Sequence, residues 1–279
     1  WLGAASFYLN VFYRLVFKFR AFKYVYTRDF YSAFILRILG KKIFFETHYL
    51  PKKVFLFYRY FLKLNNGIIV ITKKLKDELV KRGVAGDKIL VLADGVDLNQ
   101  FDIKISREAA REKLGLPLAQ KIVLYTGHLY EWKGASVLLE AARYLQDALV
   151  IFVGGREEDI KNLKSQTCPP EPSAQADGRR VSNLKSNNVF LAGHKPYQEI
   201  PLWLKSADVL VLPNSGKFEI SRSFTSPLKL FEYMASHRPI VASALDSIKE
   251  VLNNDNAVLV EPDNPELLAQ AIKKVLEDA

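Results

Sequence analysis

The chain has 279 residues, of which 49% are hydrophobic, so it is long enough to bury a substantial core in one large or two medium domains. Its one cysteine, Cys168, excludes an internal disulfide, and without paired Cys and His spacings no zinc site is expected, which favours a reducing, cytoplasmic setting. Residues 1–105 hold 19 Lys and Arg against 8 Asp and Glu, a net charge of +11, whereas residues 106–279 hold 21 against 22, a net charge of −1. This asymmetry predicts two units with different partners.

Aromatic and basic residues recur through the opening segment, residues 6–29. It contains no run of about 18 uncharged apolar residues, so a membrane-spanning helix is not expected. A helix lying on a membrane surface is one interpretation, but we favour a core-facing helix that leads into the first strand. Because the chain begins with Trp1 and its only methionine is Met234, we expect a fragment that lacks its natural start.

Short apolar runs alternate with amphipathic stretches along the chain, which is typical of βαβ units around parallel sheets. In the first part we predict strands at 24–27, 43–46, 67–71 and 88–92, and helices at 30–39, 51–64 and 72–82. A link near 100–106 leads to a second part with predicted strands at 121–126, 148–153, 188–192, 208–212, 239–242 and 257–260. Its predicted helices are 106–114, 134–145, 157–164, 198–205, 227–236 and 264–277. These elements predict an α/β fold with domains at 1–103 and 104–279, each a doubly wound sheet that binds ligands beyond the carboxyl ends of its strands.

Residues 165–187 interrupt this alternation. They are rich in Pro, Ser and Ala and contain almost no large apolar side chains. Such a segment cannot bury enough apolar surface to offset its ordering entropy. We therefore predict a mobile surface insertion within the second domain and assign it no chemistry.

The most informative stretch, DVLVLPNSGKFEISRSFTSPLKLFEYMA at 208–235, reads as a buried strand, a polar loop and a helix. A helix that starts there directs free backbone N–H groups and a positive dipole end towards its loop, where an anion can bind. Ser226 suits the N-cap and Pro227 the first helical position. This arrangement leaves the N–H groups of Leu228 and Lys229 to contact a phosphate.

Two charged residues accompany this helix start. Glu232 is a lone acid on the otherwise apolar helix, so it either faces solvent or accepts hydrogen bonds from a ligand, such as those of ribose hydroxyls. In the loop GHLYEWKG after the 121–126 strand, Gly127 lets the backbone approach a phosphate, and Lys133 brings a positive charge to a helix start. The alternative for Lys133 is a solvated lysine.

Other candidate residues follow strand ends. Glu46 and His48 end the second strand, where a histidine could donate to a phosphate or sugar oxygen; a structurally bonded histidine is the alternative. Arg28 and Asp29 follow the first strand in the same topology, and Asp29 is the expected N-cap of the next helix. His194 follows a later strand, where its backbone could border a nucleotide base.

SPLKLFEYMA resembles the donor-site signature of the large retaining glycosyltransferase family 4, which has the GT-B fold. Four further stretches agree with the family in order and spacing: GIIVITKKLKDELVKRGV, KILVLADGVDLNQF, KIVLYTGHLYEWKG and VLVEPDNPELLAQAIKKVL, at 67–84, 88–101, 121–134 and 258–276. The resemblance covers nearly the whole chain from the first predicted strand onwards. It implies two doubly wound Rossmann-like domains that face each other across a cleft. The first, incomplete one would bind the acceptor and the second the nucleotide sugar.

The resemblance also assigns roles to single residues. In the family an Arg and a Lys hold the diphosphate; Lys133 stands at the Lys position, whereas His128 stands where many members have Arg. Glu232 matches the acid that holds the ribose, but its usual companion acid, eight positions earlier, is replaced by Phe224. His48 matches a family histidine near the reacting centre.

The resemblance therefore implies a retaining glycosyltransferase that moves a sugar from a nucleotide-diphosphate donor to a glycan or lipid-linked acceptor. His48 and Lys133 would be catalytic, with no metal and no other cofactor. The basic first domain suits a lipid-phosphate acceptor and peripheral contact with an anionic membrane at the cytoplasmic, inner face. Phe224 and His128 leave open a catalytically silent nucleotide-sugar-binding protein, and a GT-B epimerase is a further alternative, for which we identify no acid/base pair. Nucleic-acid binding is not expected, because no recognisable motif accompanies the positive charge.

Overall fold

The computed structural model describes residues 2–14, 17, 22–50, 56–165 and 188–278. The chain falls into two compact units: unit 1 comprises residues 1–93 with 223–225, and unit 2 comprises residues 94–222 and 226–279. Residues 94–103, which the sequence assigns to the first domain, group with unit 2. The reason is that Phe101 is fully buried in the unit 2 core and that the Asp94 N–H donates a 3.0 Å hydrogen bond to Ser226 Oγ. Apart from Ser165, the predicted insertion lies outside the described residues.

Unit 1 contains a four-stranded parallel sheet in the order β1-β2-β3-β4. Its strands are β1 (Tyr24–Thr27), β2 (Lys42–Thr47), β3 (Gly67–Val70) and β4 (Ile89–Val91), and its helices are α1 (Leu2–Tyr13), α2 (Phe30–Ile38), α3 (Leu56–Leu64) and α4 (Lys73–Lys81). The predicted strands of this part are confirmed to within one residue at each end. The predicted cap is confirmed as well, because the Asp29 side chain accepts the Ser32 N–H at 2.6 Å.

The described helices α2, α3 and α4 cover one face of the unit 1 sheet. Apolar side chains from these helices and from the strands form its core: Ala33, Leu36, Ile43, Phe45, Phe61, Leu62, Ile68, Val70, Leu75, Leu79 and Ile89. The opposite face carries the exposed rings of Tyr24, Tyr26 and Phe44. Tyr26 and Phe44 are partners in the register of β1 and β2.

Helix α1 leaves apolar side chains in solvent. Phe7, Leu9 and Tyr13 are 59%, 69% and 58% exposed, so the interpretation of the opening segment as a core-facing helix is wrong for these residues. Tyr8 connects α1 to the rest of unit 1, because its hydroxyl donates to Asp29 Oδ1 at 3.1 Å. Within the described ranges, none of the helices combines the length and the apolar character that crossing a membrane requires.

Unit 2 contains a six-stranded parallel sheet in the order β10-β9-β8-β5-β6-β7. Its strands are β5 (Lys121–Thr126), β6 (Ala148–Val153), β7 (Val189–Gly193), β8 (Val209–Leu212), β9 (Ile240–Ser243) and β10 (Val258–Val260). Its helices are α5 (Leu98–Phe101), α6 (Arg107–Leu114), α7 (Ala135–Ala141), α8 (Glu157–Ser165), α9 (Ile200–Ser206), α10 (Glu219–Ser223, ending in the segment that groups with unit 1), α11 (Leu228–Ser236), α12 (Asp246–Lys249) and α13 (Pro265–Glu277). The predicted strands are again confirmed to within one residue.

Apolar layers cover both faces of the unit 2 sheet. Ile122, Leu124 and Leu210 pack into the layer that contains α9 and α11, whereas Val123 and Val211 pack into the layer that contains α7 and α13. Neighbouring residues of one strand therefore enter opposite layers, and the predicted doubly wound arrangement is confirmed for unit 2. The strand order reverses between β5 and β8, because β6 and β7 extend from one side of β5 and β8 pairs with the other.

A buried ion network ties α6 to the amino ends of β5 and β8. Asp208 is 2% exposed and accepts hydrogen bonds from the Arg107 and Arg111 guanidinium groups at 2.5 and 2.6 Å. It also accepts the Ile122 N–H at 2.6 Å. Arg111 donates in addition to the backbone carbonyls of Ser206, Leu118 and Gln120. Because Arg111 and Asp208 are both removed from water, removing either one would leave the other as an uncompensated buried charge.

Replacing Asp208 by Asn would leave the buried Arg111 guanidinium without its counter-charge. We expect D208N to lower the free energy of unfolding of unit 2 by about 3–5 kcal/mol, the usual cost of breaking a buried ion pair. Urea denaturation followed by tryptophan fluorescence measures this loss, since Trp132 and Trp203 both lie in unit 2. D255N, in an exposed turn, is the control. A loss for D208N no larger than that for D255N would contradict the structural role of the network.

Candidate functional site

The reversal of strand order in unit 2 opens a crevice beyond the carboxyl ends of β5 and β8, where sheets of this kind bind ligands. Two connections flank it: loop 127–134, which joins β5 to α7, and loop 213–216, which follows β8. The Ser215 N–H donates to the Trp132 carbonyl at 3.0 Å. The two loops are therefore in direct contact, and residues far apart in the chain meet here.

Glycines stand at the carboxyl ends of β5, β6 and β7, so no side chain projects from these positions. Gly127 (φ 118°) donates through its N–H to the Val153 carbonyl at 2.8 Å, and Gly154 (φ 120°) donates to the Gly193 carbonyl at 2.8 Å. A Cβ on Gly154 would lie 2.3 Å from the Gly127 carbonyl oxygen, so only glycine fits. The Gly127 backbone is thus held at the crevice without a side chain that would obstruct a phosphate.

Gly134 is a point of very close approach between the two loops. It adopts φ 69°, and a Cβ there would lie 1.8 Å from the Pro213 carbonyl oxygen and 2.7 Å from its carbon. Because both neighbours are backbone atoms, a larger residue would have to displace one of the loops. Gly134 also ends the short 3-10 turn Glu131–Lys133 that precedes α7. Its contact with Pro213 therefore fixes the position of Lys133.

Gly134→Ala tests this contact, and Gly115→Ala is its matched control. Gly115 has nearly the same φ, 65°, but nothing lies within 4 Å of its Cβ position. Each change costs about 1–2 kcal/mol for the left-handed backbone. We expect the Gly134 variant to lose more than this in urea denaturation, because it adds the clash with Pro213. Equal losses in the two variants would show that the contact does not constrain the loop.

The Lys229 side chain lies beside loop 127–134. Its Cδ is 3.9 Å from the position that a Cβ on Gly127 would take, and its Nζ is 4.0 Å from the centre of the Tyr125 ring. The Nζ is buried and has no hydrogen-bond partner. Burial lowers the pKa of Lys229 well below its usual value; Lys133 lowers it further, and Glu232 partly opposes both effects.

Glu232 faces the same cluster of charges rather than solvent. It is 7% exposed, and its Oε1 accepts a 3.0 Å hydrogen bond from the Tyr197 hydroxyl, so the solvent-facing alternative is excluded. Burial raises the pKa of Glu232, whereas the bond from Tyr197 and the charges of Lys229 and Lys133 lower it. Burial and the Glu232 charge raise the pKa of Tyr197 to about 12, so this hydroxyl remains protonated and donates.

Lys133 completes the unit 2 cluster. Its Nζ lies 5.7 Å from the centre of the Tyr130 ring and 5.1 Å from that of Trp132. Burial lowers the pKa of Lys133 and the charge of Glu232 opposes this effect, so the half-buried side chain is not a freely solvated lysine. One carboxylate, Glu232, thus stands against two lysines, Lys133 and Lys229.

Helix α11 begins one residue later than predicted. Pro227, with an extended backbone (φ −70°, ψ 117°), is the N-cap rather than the first helical residue, and it makes no side-chain cap bond. Ser226 does not cap the helix, because its Oγ accepts the Asp94 N–H instead. Helix geometry leaves the N–H groups of Leu228 and Lys229 without intrahelical partners. Their contact with a phosphate stays a prediction.

His128 and His194 lie exposed after β5 and β7. The His128 ring stacks on Tyr130, with 5.0 Å between the ring centres and 8° between the planes. Partial burial lowers the pKa of His128, and Lys133 and Arg156 lower it further. At neutral pH this side chain is therefore uncharged and does not supply the fixed charge of an arginine.

In unit 1 the three predicted acceptor-side residues come together. Glu46 Oε1 lies 2.5 Å from Arg28 Nη2 and 2.5 Å from His48 Nε2. The Glu46 side chain is 6% exposed, whereas those of Arg28 and His48 are 60% and 31% exposed. A buried carboxylate therefore orients a guanidinium and an imidazole at the carboxyl ends of β1 and β2. The same contact also fits the structurally bonded alternative for His48.

Three contributors to the unit 2 cluster were not anticipated from the sequence: the Tyr125 ring, the Tyr197 hydroxyl and the Lys229 side chain. Tyr197 lies soon after the carboxyl end of β7, so attention to strand ends could have found it. Tyr125 and Lys229 alternate with core residues in apolar runs, where no sequence pattern singles them out.

Neither a second acid at position 224 nor a metal-binding cluster is found among the residues that the structure describes. Phe224, at the position of the second acid, groups with unit 1 and packs against its core, so it offers the cluster no carboxylate. Among the described residues of the whole chain, no three His, Cys, Asp or Glu side chains come close enough to hold a metal ion.

The sequence profile of a family described as glycosyl transferases group 1 matches residues 120–278. Among curated proteins, a D-inositol 3-phosphate glycosyltransferase of Xylanimonas cellulosilytica is 29% identical over 227 residues, which are 77% of this chain and 49% of the relative. The amylovoran biosynthesis glycosyltransferase AmsK of Erwinia amylovora is 28% identical over 222 residues, which are 76% of this chain and 47% of the relative. The chain thus spans about half the length of the curated relatives it matches.

A solved structure, that of Anabaena Alr3699/HepE in complex with UDP and glucose, is similar with a TM-score of 0.69. The match covers 92% of this chain and 68% of that chain at 19% identity, a level at which the likeness shows the fold alone. The fold is GT-B. The α/β fold class predicted from the sequence is therefore confirmed.

Proposed function

Because the chain belongs to the group 1 glycosyl transferases, we propose that it transfers a sugar from a nucleotide-diphosphate sugar to an acceptor, with retention at the anomeric carbon. One observation carries this proposal: Lys133, Lys229 and Glu232 converge where the strand order of unit 2 reverses. Two lysines, Lys229 buried and Lys133 half-buried, against one carboxylate suit an anionic diphosphate. The structure of Anabaena Alr3699/HepE with UDP and glucose supports a nucleotide-sugar donor.

In the proposed donor site the leaving diphosphate is stabilised by lysine side chains and backbone donors whose positions are already fixed. Lys133 and Lys229 supply positive charge when the diphosphate is bound. The N–H groups of Leu228 and Lys229 add the positive dipole end of α11. The negative charge that develops as the sugar leaves is therefore neutralised without a covalent nucleophile. In this scheme the two lysines supply the charge that a metal ion would otherwise provide.

Further residues would hold the nucleoside and the phosphates. Glu232, oriented by Tyr197, would accept hydrogen bonds from ribose hydroxyls. Gly127, whose N–H already donates to Val153, would admit a phosphate because it has no side chain, and the neutral His128 would donate one hydrogen bond. His194, after β7, would border the base. This arrangement places less fixed charge on the phosphates than an arginine at position 128 would.

Unit 1 would bind the acceptor. Arg28, oriented by Glu46, can donate to a phosphate or sugar oxygen. His48 uses Nε2 for Glu46 and can donate to such an oxygen through Nδ1 when both of its ring nitrogens are protonated, and we propose that it acts next to the reacting bond. The net charge of +11 over residues 1–105 suits a lipid-phosphate or anionic glycan acceptor. The exposed aromatic side chains of α1 suit peripheral contact with an anionic membrane at the cytoplasmic face. Relatives named for D-inositol 3-phosphate and for amylovoran biosynthesis support a phosphorylated or polymeric acceptor.

A second candidate function is nucleotide-sugar binding without turnover. Phe224 removes one carboxylate that the family resemblance leads us to expect, and the uncharged His128 replaces a permanent cation. Both changes weaken the hold on the transferred sugar and on its leaving group. The donor pocket could then bind its ligand and catalyse transfer slowly or not at all.

We expect Lys133→Met to lower the rate of sugar transfer by about 10²–10³-fold, the cost of removing one fixed donor to a developing anion. The assay incubates the full chain with UDP-, GDP- or ADP-sugars and an oligosaccharide or lipid-phosphate acceptor, and it measures release of the nucleoside diphosphate. Lys273→Met, on an exposed position of α13, is the matched control. Equal rates in the two variants would contradict the role of Lys133.

The same assay with the wild-type chain separates the candidate functions. Release of a nucleoside diphosphate together with a glycosylated acceptor supports the transferase, and NMR of the product reports whether the anomeric configuration is retained. Binding without release supports the silent protein. Conversion of the sugar while it remains attached to its nucleotide would indicate an epimerase and contradict the transferase.

Glu232→Gln tests the contact with ribose. Because hydrogen bonds to a charged group contribute about 1.5–3 kcal/mol, we expect the variant to bind UDP, or whichever nucleoside diphosphate the chain prefers, roughly ten- to a hundredfold more weakly. Inorganic pyrophosphate has no ribose, so its affinity should not fall. Calorimetric titration measures both. A parallel loss of affinity for pyrophosphate would show that Glu232 acts on the whole site rather than on the ribose.

A further inference from the structure

Lys229 differs from other buried cations of unit 2 in what surrounds its charged end. The residue is 7% exposed, and its Nζ has the Tyr125 ring 4.0 Å away but no hydrogen-bond partner. Arg111, which is also buried, donates to the Asp208 carboxylate and to backbone carbonyls. A buried ammonium without an acceptor is far less favourable than a neutral amine in the same place.

The charged groups around Lys229 do not supply the missing acceptor. From the loop after β5, Lys133 faces it as a like charge. From its own helix, Glu232 attracts it electrostatically, but this carboxylate makes no hydrogen bond to Nζ. From β5, the face of the Tyr125 ring attracts a cation but supplies no negative charge to compensate it. The cluster therefore has a place for one more negative charge beside Lys229.

We propose that Lys229 is a neutral amine in the free protein and takes up one proton when a nucleoside diphosphate binds. This inference rests on the proposed function, since it requires the diphosphate to reach the unit 2 cluster. The proton passes from the buffer to Nζ, and the resulting ammonium donates to a phosphate oxygen. The phosphate thereby supplies both an acceptor and a counter-charge for Lys229.

The direction of the pKa change supports this step. Burial and Lys133 lower the pKa of Lys229 in the free protein, and a bound diphosphate would raise it by adding negative charge beside Nζ. Below its pKa in the free protein Lys229 is already charged, and above its pKa in the complex it is neutral in both states. Between the two values, affinity falls by about tenfold for each unit rise in pH when one proton is linked to binding.

Isothermal titration calorimetry of the full chain counts the linked protons. UDP, GDP and ADP serve as probes, each titrated in two buffers that differ in ionisation enthalpy. The measurements are made near pH 8, where a terminal phosphate with a second pKa of about 6 has already lost its own proton. We expect at least one nucleotide to bind with uptake of about one proton, and its affinity to fall about tenfold by pH 9.

Variants at Lys229 identify the group that takes up the proton. Lys229→Arg carries a permanent charge, so we expect it to bind the same nucleotide without proton uptake. Lys229→Met should bind it at least about tenfold more weakly, again without uptake. Lys273→Met is the control and should behave like the wild-type chain. If Lys229→Arg does not fold, the comparison of the wild-type chain with Lys229→Met decides.

Each outcome has a distinct meaning. Nucleotide binding by the wild-type chain without a linked proton would overturn the inference and leave the proposed function standing. Proton uptake that persists in Lys229→Met would assign the proton to another group, such as His128, and would also overturn the inference. Failure of all three nucleotides to bind the wild-type chain would overturn both the inference and the proposed function.

Discussion

The contact between Gly134 and the Pro213 carbonyl is the constraint on which the rest of the unit 2 site depends. Only a residue without a side chain fits there, since the Cβ of an alanine at position 134 would lie 1.8 Å from the Pro213 carbonyl oxygen. Loop 127–134 is therefore held against the loop that follows β8, at the point where the strand order reverses. Lys133 is placed by this contact, and Lys229 reaches the same point from α11 past the bare Gly127. A parallel α/β sheet thereby combines residues from distant parts of its sequence into one cluster.

Two of the buried basic groups of unit 2, Arg111 and Lys229, have surroundings of different kinds. At the amino ends of the strands, Arg111 is paired with Asp208 and donates to several carbonyls, so its charge is fully compensated inside the protein. At the carboxyl ends, Lys229 has no acceptor and faces the like charge of Lys133. Native domains have only about 5–15 kcal/mol of net stability, so an ammonium kept buried without a counter-charge would lower that stability substantially, and a neutral amine avoids this cost. Arg111 therefore helps to hold the sheet together, whereas Lys229 is suited to take up its charge together with an anionic ligand.

Much of the fold could be predicted because apolar runs and turn residues report directly on buried strands. Each predicted strand lies within one residue of its position in the structure, from Tyr24 in β1 to Val260 in β10. The opening helix was misjudged because its aromatic residues, such as Phe7, carry no signal of whether a neighbouring layer covers them. The helix start at 226–228 was displaced by one residue because Ser226 has a long-range partner, Asp94, that local capping rules ignore.

The residues of the candidate site could be predicted where a charged side chain occurs in an apolar or glycine-rich stretch or directly after a strand. Lys133 and Glu232 are conspicuous in apolar or glycine-rich stretches, and Arg28, Glu46 and His48 follow strand ends. The aromatic support from Tyr125 and the burial of the Lys229 side chain were not predictable. They arise from strand order and from the missing side chain of Gly127, which are properties of the packed unit rather than of any local segment.

A crystal structure of the chain with bound UDP tests the central claim most directly, because it locates the diphosphate relative to both lysines. We expect a phosphate oxygen within about 2.7–3.2 Å of the Nζ of Lys133 and of Lys229, with the ribose hydroxyls at Glu232. A diphosphate bound elsewhere on unit 2, or one that leaves Lys229 Nζ without an acceptor, would contradict it.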